Sequence, residues 1–435
     1  MRARLSGPAR VLAVAQLTNA VGDGAYIVCS VLYFTRIVGL SATQLGVGLT
    51  VSWAAGFVAG VPLGHLADRW GPRRTAVALA LGTSVSVGSF LVVRSFPWFV
   101  LAACGYACCQ AGLASARQAL LAALIGSDER TRVRAYLQAA TNAGLAIGAA
   151  VGGLALRFDT ANGYLAIFVM DALGFAAAGC LLLRVPAVAA APAASAGRML
   201  AVLADRPYAV LTLLNTIMLL RMPVISLAIP LWIVERTHAP TWLVSAVLLL
   251  NTLAVMLWQV RVSHGVTDLR GASTLVRRSG VLLLVSCAVF ALSAVDVPGW
   301  AAAGILLAAA GLQVVGEMMQ SAGAWEISFA LAPAHQQGQY QGFFGTGTAV
   351  ARMLGPVLLT TLIIGWGTVG WLLLGGMFLL AGLVNGPVVR WALARRPARG
   401  TAVAAAGAPA VQCERVGQRA DADRRSGYSG QWTAG

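Results

Sequence analysis

A small set of charged side chains sits where charge is hardest to keep. Asp23 lies between Gly22 and Gly24, close to the middle of an apolar run over 10–37. An ionisable group at bilayer mid-depth is costly, so it faces a cavity or a partner. Burial disfavours its charged form, which suits a carboxyl there to proton exchange; the alternative is a carboxylate paired for packing alone. Arg117 lies in the run 96–125. A buried guanidinium keeps its charge at any accessible pH, so Arg117 would modulate a nearby carboxylate rather than carry a proton. Otherwise it snorkels to the inner interface. Further along, Arg221 precedes Pro223, Glu317 lies in the run 299–328, and Arg352 stands just before Gly355-Pro356. Glu317 and Arg352 lie at compatible depths on adjacent runs and can pair; paired, they are structural, and unpaired, Glu317 titrates. Asp23, Arg117, Glu317 and Arg352 are thus the candidate proton-coupling set. Asp171 is expected to be structural, and Glu235 and Glu326, near run ends, to be solvated.

The elements that hold these residues are apolar and long. Of 435 residues, 58% are hydrophobic and 11% charged, against about 25% charged in soluble domains. A spanning helix needs about 20 apolar residues. Twelve runs qualify: 10–37, 43–66, 75–94, 96–125, 132–156, 162–183, 207–235, 239–262, 275–294, 299–328, 338–365 and 368–391. An even number puts both termini on one side. With that side cytoplasmic, the inner segments before the distal tail hold 20 arginines, and the outer ones hold only Arg36, Arg94, Arg157 and Arg236. This asymmetry favours the N-in, C-in orientation. It also assigns the net charge of +16 to anionic inner-leaflet lipid, so nucleic acid is not an expected partner. Every basic residue is arginine, and the Ala, Gly and Arg excess points to a GC-rich bacterial genome and a plasma-membrane location. The seven cysteines read as small packing residues. The first run is too long for a cleavable signal and leads into further spans. A Pro/Ala-rich inner linker over 184–206 divides the chain into a bundle at 1–183 and a second at 207–396, with a disordered cytoplasmic tail at 397–435.

The loop between the second and third runs reads Gly64-His65-Leu66-Ala67-Asp68-Arg69-Trp70-Gly71-Pro72-Arg73-Arg74. It resembles the signature loop of major facilitator transporters, Gly-x-Leu-x-Asp-Arg-x-Gly-Arg-(Arg/Lys), with proline at the variable position 72. An acid at this point can accept from exposed N–H groups at a neighbouring helix N-terminus. The gating candidates are Gly64, Asp68, Arg69, Gly71, Arg73 and Arg74, with an echo 200 residues on at Asp268 and Gly271. Span five carries Gly144, Gly148, Gly152 and Gly153. It resembles the family's antiporter motif Gly-x-x-x-Gly-Pro-x-x-Gly-Gly, with Ala149 in place of the proline; small residues at this spacing let helices approach closely.

The resemblance implies an all-α integral membrane protein with 12 transmembrane helices in two pseudo-symmetric six-helix bundles. It also implies a drug:proton antiporter-like branch, a membrane-embedded acid in span one and a basic residue in span four. Tyr26, Asn142, Asn215, Arg221, Trp232 and Asn251 are candidates to line a substrate cavity. The expected function is secondary active transport: proton-coupled efflux of a lipophilic small molecule by alternating access. The rivals are an importer or facilitator on the same fold and a non-transporting receptor or scaffold. No enzymatic activity, cofactor or metal is expected, the proton gradient supplies the energy, and the chain is expected to work as a monomer. With no lysine, the phosphate-binding loop of ATP-driven pumps cannot be built.

Overall fold

The computed structural model describes residues 7–158, 160–188, 200–240, 242–264, 266–295 and 297–395. Among them there is no strand. The long helices are α1 (Gly7–Ile37), α2 (Ala42–Trp70), α3 (Pro72–Ser89), α4 (Phe96–Leu124), α5 (Ser127–Phe158), α6 (Ala161–Leu182), α7 (Arg206–Arg236), α8 (Leu243–Ser263), α9 (Leu269–Leu292), α10 (Gly299–Leu331), α11 (Gln337–Gly365) and α12 (Thr368–Ala394). Eleven are long and apolar enough to cross a membrane. The exception is α3, a helix of 18 residues that opens on Arg73 and Arg74 and carries four hydroxyl side chains in its second half. It begins and ends earlier than the run expected at 75–94, because Pro72 starts it at once.

Local chemistry sets the helix ends. Ser41 and Gln44 close a capping box on α2. Gly71 turns the chain at φ +92°, a conformation only glycine adopts without strain, and Pro72 follows at the first helical position of α3. Thr160, Asp205 and Asp268 cap α6, α7 and α9 through their side chains. α7 is broken: its first segment stops at Leu219, a short turn holds Arg221–Pro223, and a π-helical turn spans Val224–Ala228. Pro223 lacks the N–H that a continuous ladder needs, and the π-turn absorbs the mismatch.

The two halves repeat one packing scheme. α1 lies against α5 and α6 in the first half, and α7 lies against α11 in the second. Gly148 of α5 approaches α1 so closely that a Cβ would overlap the Val21 carbonyl. Gly355 of α11, offset by the 207 residues of the internal repeat, receives the Pro223 ring of α7. Aromatic clusters fill the cores. In the first half Tyr26, Tyr33, Phe34, Phe90, Phe99 and Phe168 interlock; in the second, Trp371 stacks on Phe290 with ring centroids 4.9 Å apart and meets Trp232 edge-on. Two cavity candidates are corrected here. Tyr26 is buried between Phe90, Tyr106 and Phe168, and Trp232 is 1% exposed with its indole N–H on Ser293 Oγ at 2.9 Å. Both are core residues.

Residues up to Val389 form one compact unit. In the second unit, from Arg390 on, residues 390–395 are described, and there the Arg395 guanidinium carbon lies 4.9 Å from the centroid of the Trp391 ring. Within the expected linker, residues 189–199 lie outside the described residues, as does the whole expected tail at 397–435.

Candidate functional site

Two polar stripes meet inside the first half. On α1, Gln16, Asn19 and Asp23 fall on one helix face; on α4, Tyr106, Gln110 and Arg117 do the same. Glycines on either side of Asp23 decide where it points. A Cβ on Gly22 would overlap the Asp171 carboxyl of α6, and one on Gly24 would overlap the Leu145 carbonyl of α5. α1 is therefore clamped against α5 and α6 through its glycines, and Asp23 turns toward α4. There Asp23 Oδ1 accepts from Tyr106 Oη at 3.1 Å and Gln110 Nε2 at 3.3 Å, while Oδ2 accepts from Asn19 Nδ2 at 3.2 Å. All three donors are neutral. Arg117 donates to Gln16 Oε1 at 3.0 Å and to Asn19 Oδ1 at 2.9 Å, so Asn19 bridges the guanidinium and the carboxylate. The sequence reading missed Asn19, Tyr106 and Gln110; the i, i+4 spacing of polar residues in otherwise apolar runs was the available signal.

Arg352 of α11 comes from the other half. Its guanidinium carbon lies 5.2 Å from the centroid of the Trp53 ring of α2, a cation–π distance. The side chain is exposed, yet it is within electrostatic reach of Asp23 and Tyr106. Arg352 and Trp53 thus face each other across the boundary between the halves. The pairing of Arg352 with Glu317 does not occur. Glu317 Oε1 instead meets Arg221 Nη1 at 2.8 Å. Arg221 also donates to Gln320 Oε1 at 3.0 and 3.2 Å and to Ser321 Oγ at 2.9 Å, and Gln320 donates on to Asn215 Oδ1 at 2.8 Å. The break in α7 explains the pairing, since it presents Arg221 to α10 at the level of Glu317. Asn142 accepts from Gln138 at 3.2 Å, and Asn251 keeps a buried oxygen without a hydrogen-bond partner.

At one end of the molecule the halves lock together. Asp68, at the end of α2, accepts from the backbone N–H of Gly338 at 2.7 Å and of Gln339 at 2.8 Å. First-turn N–H groups of a helix have no intrahelical acceptor, and the helix dipole there also favours an anion. Just below, α2 and α11 cross with backbones touching. A Cβ on Gly64 would overlap the Gly338 carbonyl, and one on Gly342 would overlap the Gly60 carbonyl. Gly60-x-x-x-Gly64 and Gly338-x-x-x-Gly342 thus form a paired small-residue crossing, legible in the sequence only once the two spans are known to meet. Arg69 and Arg74 are exposed and Arg73 is half-buried at this end.

A second contact joins the halves beside it. Thr131 Oγ1 of α5 donates to Glu326 Oε2 of α10 at 2.6 Å, and the Arg134 guanidinium carbon lies 5.0 Å from the Trp325 centroid. Glu326 is 6% exposed, which corrects the expectation that it is solvated: the opposite half covers it. Asp268 does not copy its counterpart Asp68; it accepts from Gly271 N at 3.2 Å within its own helix turn. In the α5 motif, Gly144, Gly148 and Gly152 face α1, while Gly153 has open space around it.

Comparisons with known proteins agree with this architecture. The family model for the Major Facilitator Superfamily matches residues 12–356. No curated protein sequence matches the chain. Among solved structures, a bacterial homologue of the iron transporter ferroportin in an outward-facing state superposes with a TM-score of 0.70 at 15% identity, covering 89% of this chain and 99% of that one. The transporter FucP in an outward conformation gives 0.68 at 13% identity, covering 89% and 99%. The human organic anion transporter MFSD10 (TETRAN) gives 0.66 at 16% identity, covering 87% and 98%. At these identities the likeness establishes the fold.

Proposed function

The chain belongs to the Major Facilitator Superfamily, and from that premise we propose that it is a proton-coupled transporter that expels a lipophilic small molecule by alternating access. The observation that carries this reading is the setting of Asp23: half-buried beside the space between the halves, and held by three neutral donors. Such a carboxyl can gain and lose a proton without breaking an ion pair. Arg117 lies one amide away, bridged by Asn19, and makes no direct ion pair with Asp23.

The arginine distribution supports placing the Asp68 end on the cytoplasmic side. The closed gate then corresponds to an outward-open state in which external protons reach Asp23. Protonation of Asp23 weakens cargo binding and releases the cargo outside. The halves then rock about the site, breaking the bonds of Asp68 to α11 and of Thr131 to Glu326, and the proton leaves inside. Trp53 and Arg352 offer an aromatic face with a cation at its centre, which suits an amphipathic cargo. The close approach of α5 to α1 through Gly144, Gly148 and Gly152 supports a sealed substrate path of the antiporter kind.

Ala149, in place of the motif proline, favours one competing reading: an importer or facilitator on the same fold. Transport direction separates the two. In everted vesicles energised to an acidic interior, efflux predicts that a fluorescent lipophilic dye is taken up; an importer would leave the dye outside and instead discharge a preloaded one.

A further inference from the structure

Asp171, on α6, is fully buried, and neither of its carboxyl oxygens has a hydrogen-bond partner. It presses on the backbone of α1, where a Cβ on Gly22 would stand 2.7 Å from the Asp171 Cα. The next residue along α1 is Asp23. Asp171 is within electrostatic reach of Asp23 and Tyr26 of α1 and of Tyr106 of α4. No guanidinium acts on it among the described residues. α3, which also packs on α6, contributes Ser84, whose hydroxyl donates to the Ala172 carbonyl at 2.7 Å. α5 presents apolar and glycine positions on this side of α1.

An ionised carboxylate so enclosed, with no partner and a second acid beside it, would carry an uncompensated burial cost of several kcal/mol. The packing against Gly22 leaves no room for a metal ion or its water shell. The one ligand that fits is a proton. We propose that Asp171 is a second proton-binding carboxyl, occluded behind α1 and coupled to Asp23 so that at most one of the two is ionised at a time. Asp23, the half-buried acid of the two, exchanges its proton with the outside, and Asp171 holds its proton for as long as Asp23 is charged. Tyr106 donates to Asp23, and its ring packs on that of Tyr26 with centroids 5.5 Å apart, so these two phenols line the way between the acids. The inference deepens the proton-coupling reading above and rests on it for its role in the cycle.

The test uses the proton itself as probe, on the full-length protein in lipid. Infrared difference spectra recorded across a pH titration should show a protonated-carboxyl band that persists where ordinary carboxylates are ionised and that exchanges slowly in deuterated water. Asp171→Asn should remove that band. In Asp23→Asn the band should remain but fade earlier as pH rises, because the repelling charge is gone. Asp171→Leu should match or exceed the wild type in thermal stability, as expected for removal of an unpaired buried acid. An Asp171→Asn spectrum identical to wild type at every pH would overturn the proposal. So would a band indifferent to Asp23→Asn. If Asp23→Asn kept full gradient-driven transport, the coupling reading would fail by itself, while the infrared band would still decide whether Asp171 holds a proton.

Discussion

Asp23 and Glu317 are both carboxylates inside spanning helices, one in each half, and their surroundings are opposite. Glu317 touches a guanidinium at 2.8 Å, and that guanidinium is fixed by Gln320 and Ser321. Asp23 touches only neutral donors, and the nearest cation in its network is one amide away. A directly paired acid is committed to its ion pair and acts as a strut. An acid with neutral donors can take up a proton without breaking an ion pair, which is the property a proton carrier needs. On the proposed reading the two halves divide the work: Asp23 of the first exchanges protons, while the Arg221–Glu317 pair of the second braces the break in α7.

The contrast can be broken from the second half first. Glu317→Gln leaves Arg221 buried without its anion and should destabilise the protein by about 3–5 kcal/mol, read as a large fall in the melting midpoint in detergent. Adding Arg221→Met should recover most of that loss, since no lone charge then remains. If Glu317→Gln melted normally but lost proton coupling, the assignment of strut and carrier would be reversed.

The two loop acids sharpen the same comparison between halves. Asp68 bridges to α11, whereas Asp268 caps its own helix. Asp68→Asn should weaken the closed gate by about 1–3 kcal/mol, seen as amide exchange at Gly338 and Gln339 faster by about 5- to 150-fold. Asp268→Asn keeps a competent cap and should change stability by no more than about 0.5 kcal/mol. Equal effects of the two changes on exchange at α11 would show that the gate is symmetric.

Much of this was legible in the sequence. The loop at 64–74 placed Asp68 as an acceptor for a neighbouring helix N-terminus, and it caps α11. Asp23 stood out by its place in the middle of an apolar run, and the structure shows the flanking glycines clamping α1 against α5 and α6. What stayed hidden depends on which spans touch. Arg221 and Glu317 are distant in sequence, and nothing in either run says that the kink at Pro223 aims one at the other. Glu326 looked solvated because it sits near a helix end, but that end lies under the opposite half. Tyr26 and Trp232 were misjudged for a reason particular to membranes: apolar residues face lipid and core alike, so hydrophobic periodicity does not separate a cavity wall from packing.

The central claim is that Asp23 couples protons while the rest of the machine moves without it. The direct measurement compares wild type and Asp23→Asn in proteoliposomes, following a transported dye by counterflow with no pH gradient and by accumulation with one. The account predicts that the variant, fixed in the weak-binding neutral form, still exchanges dye in counterflow once the dye concentration is raised to saturation, and fails to accumulate it against a gradient. Accumulation by the variant to the wild-type level would contradict it.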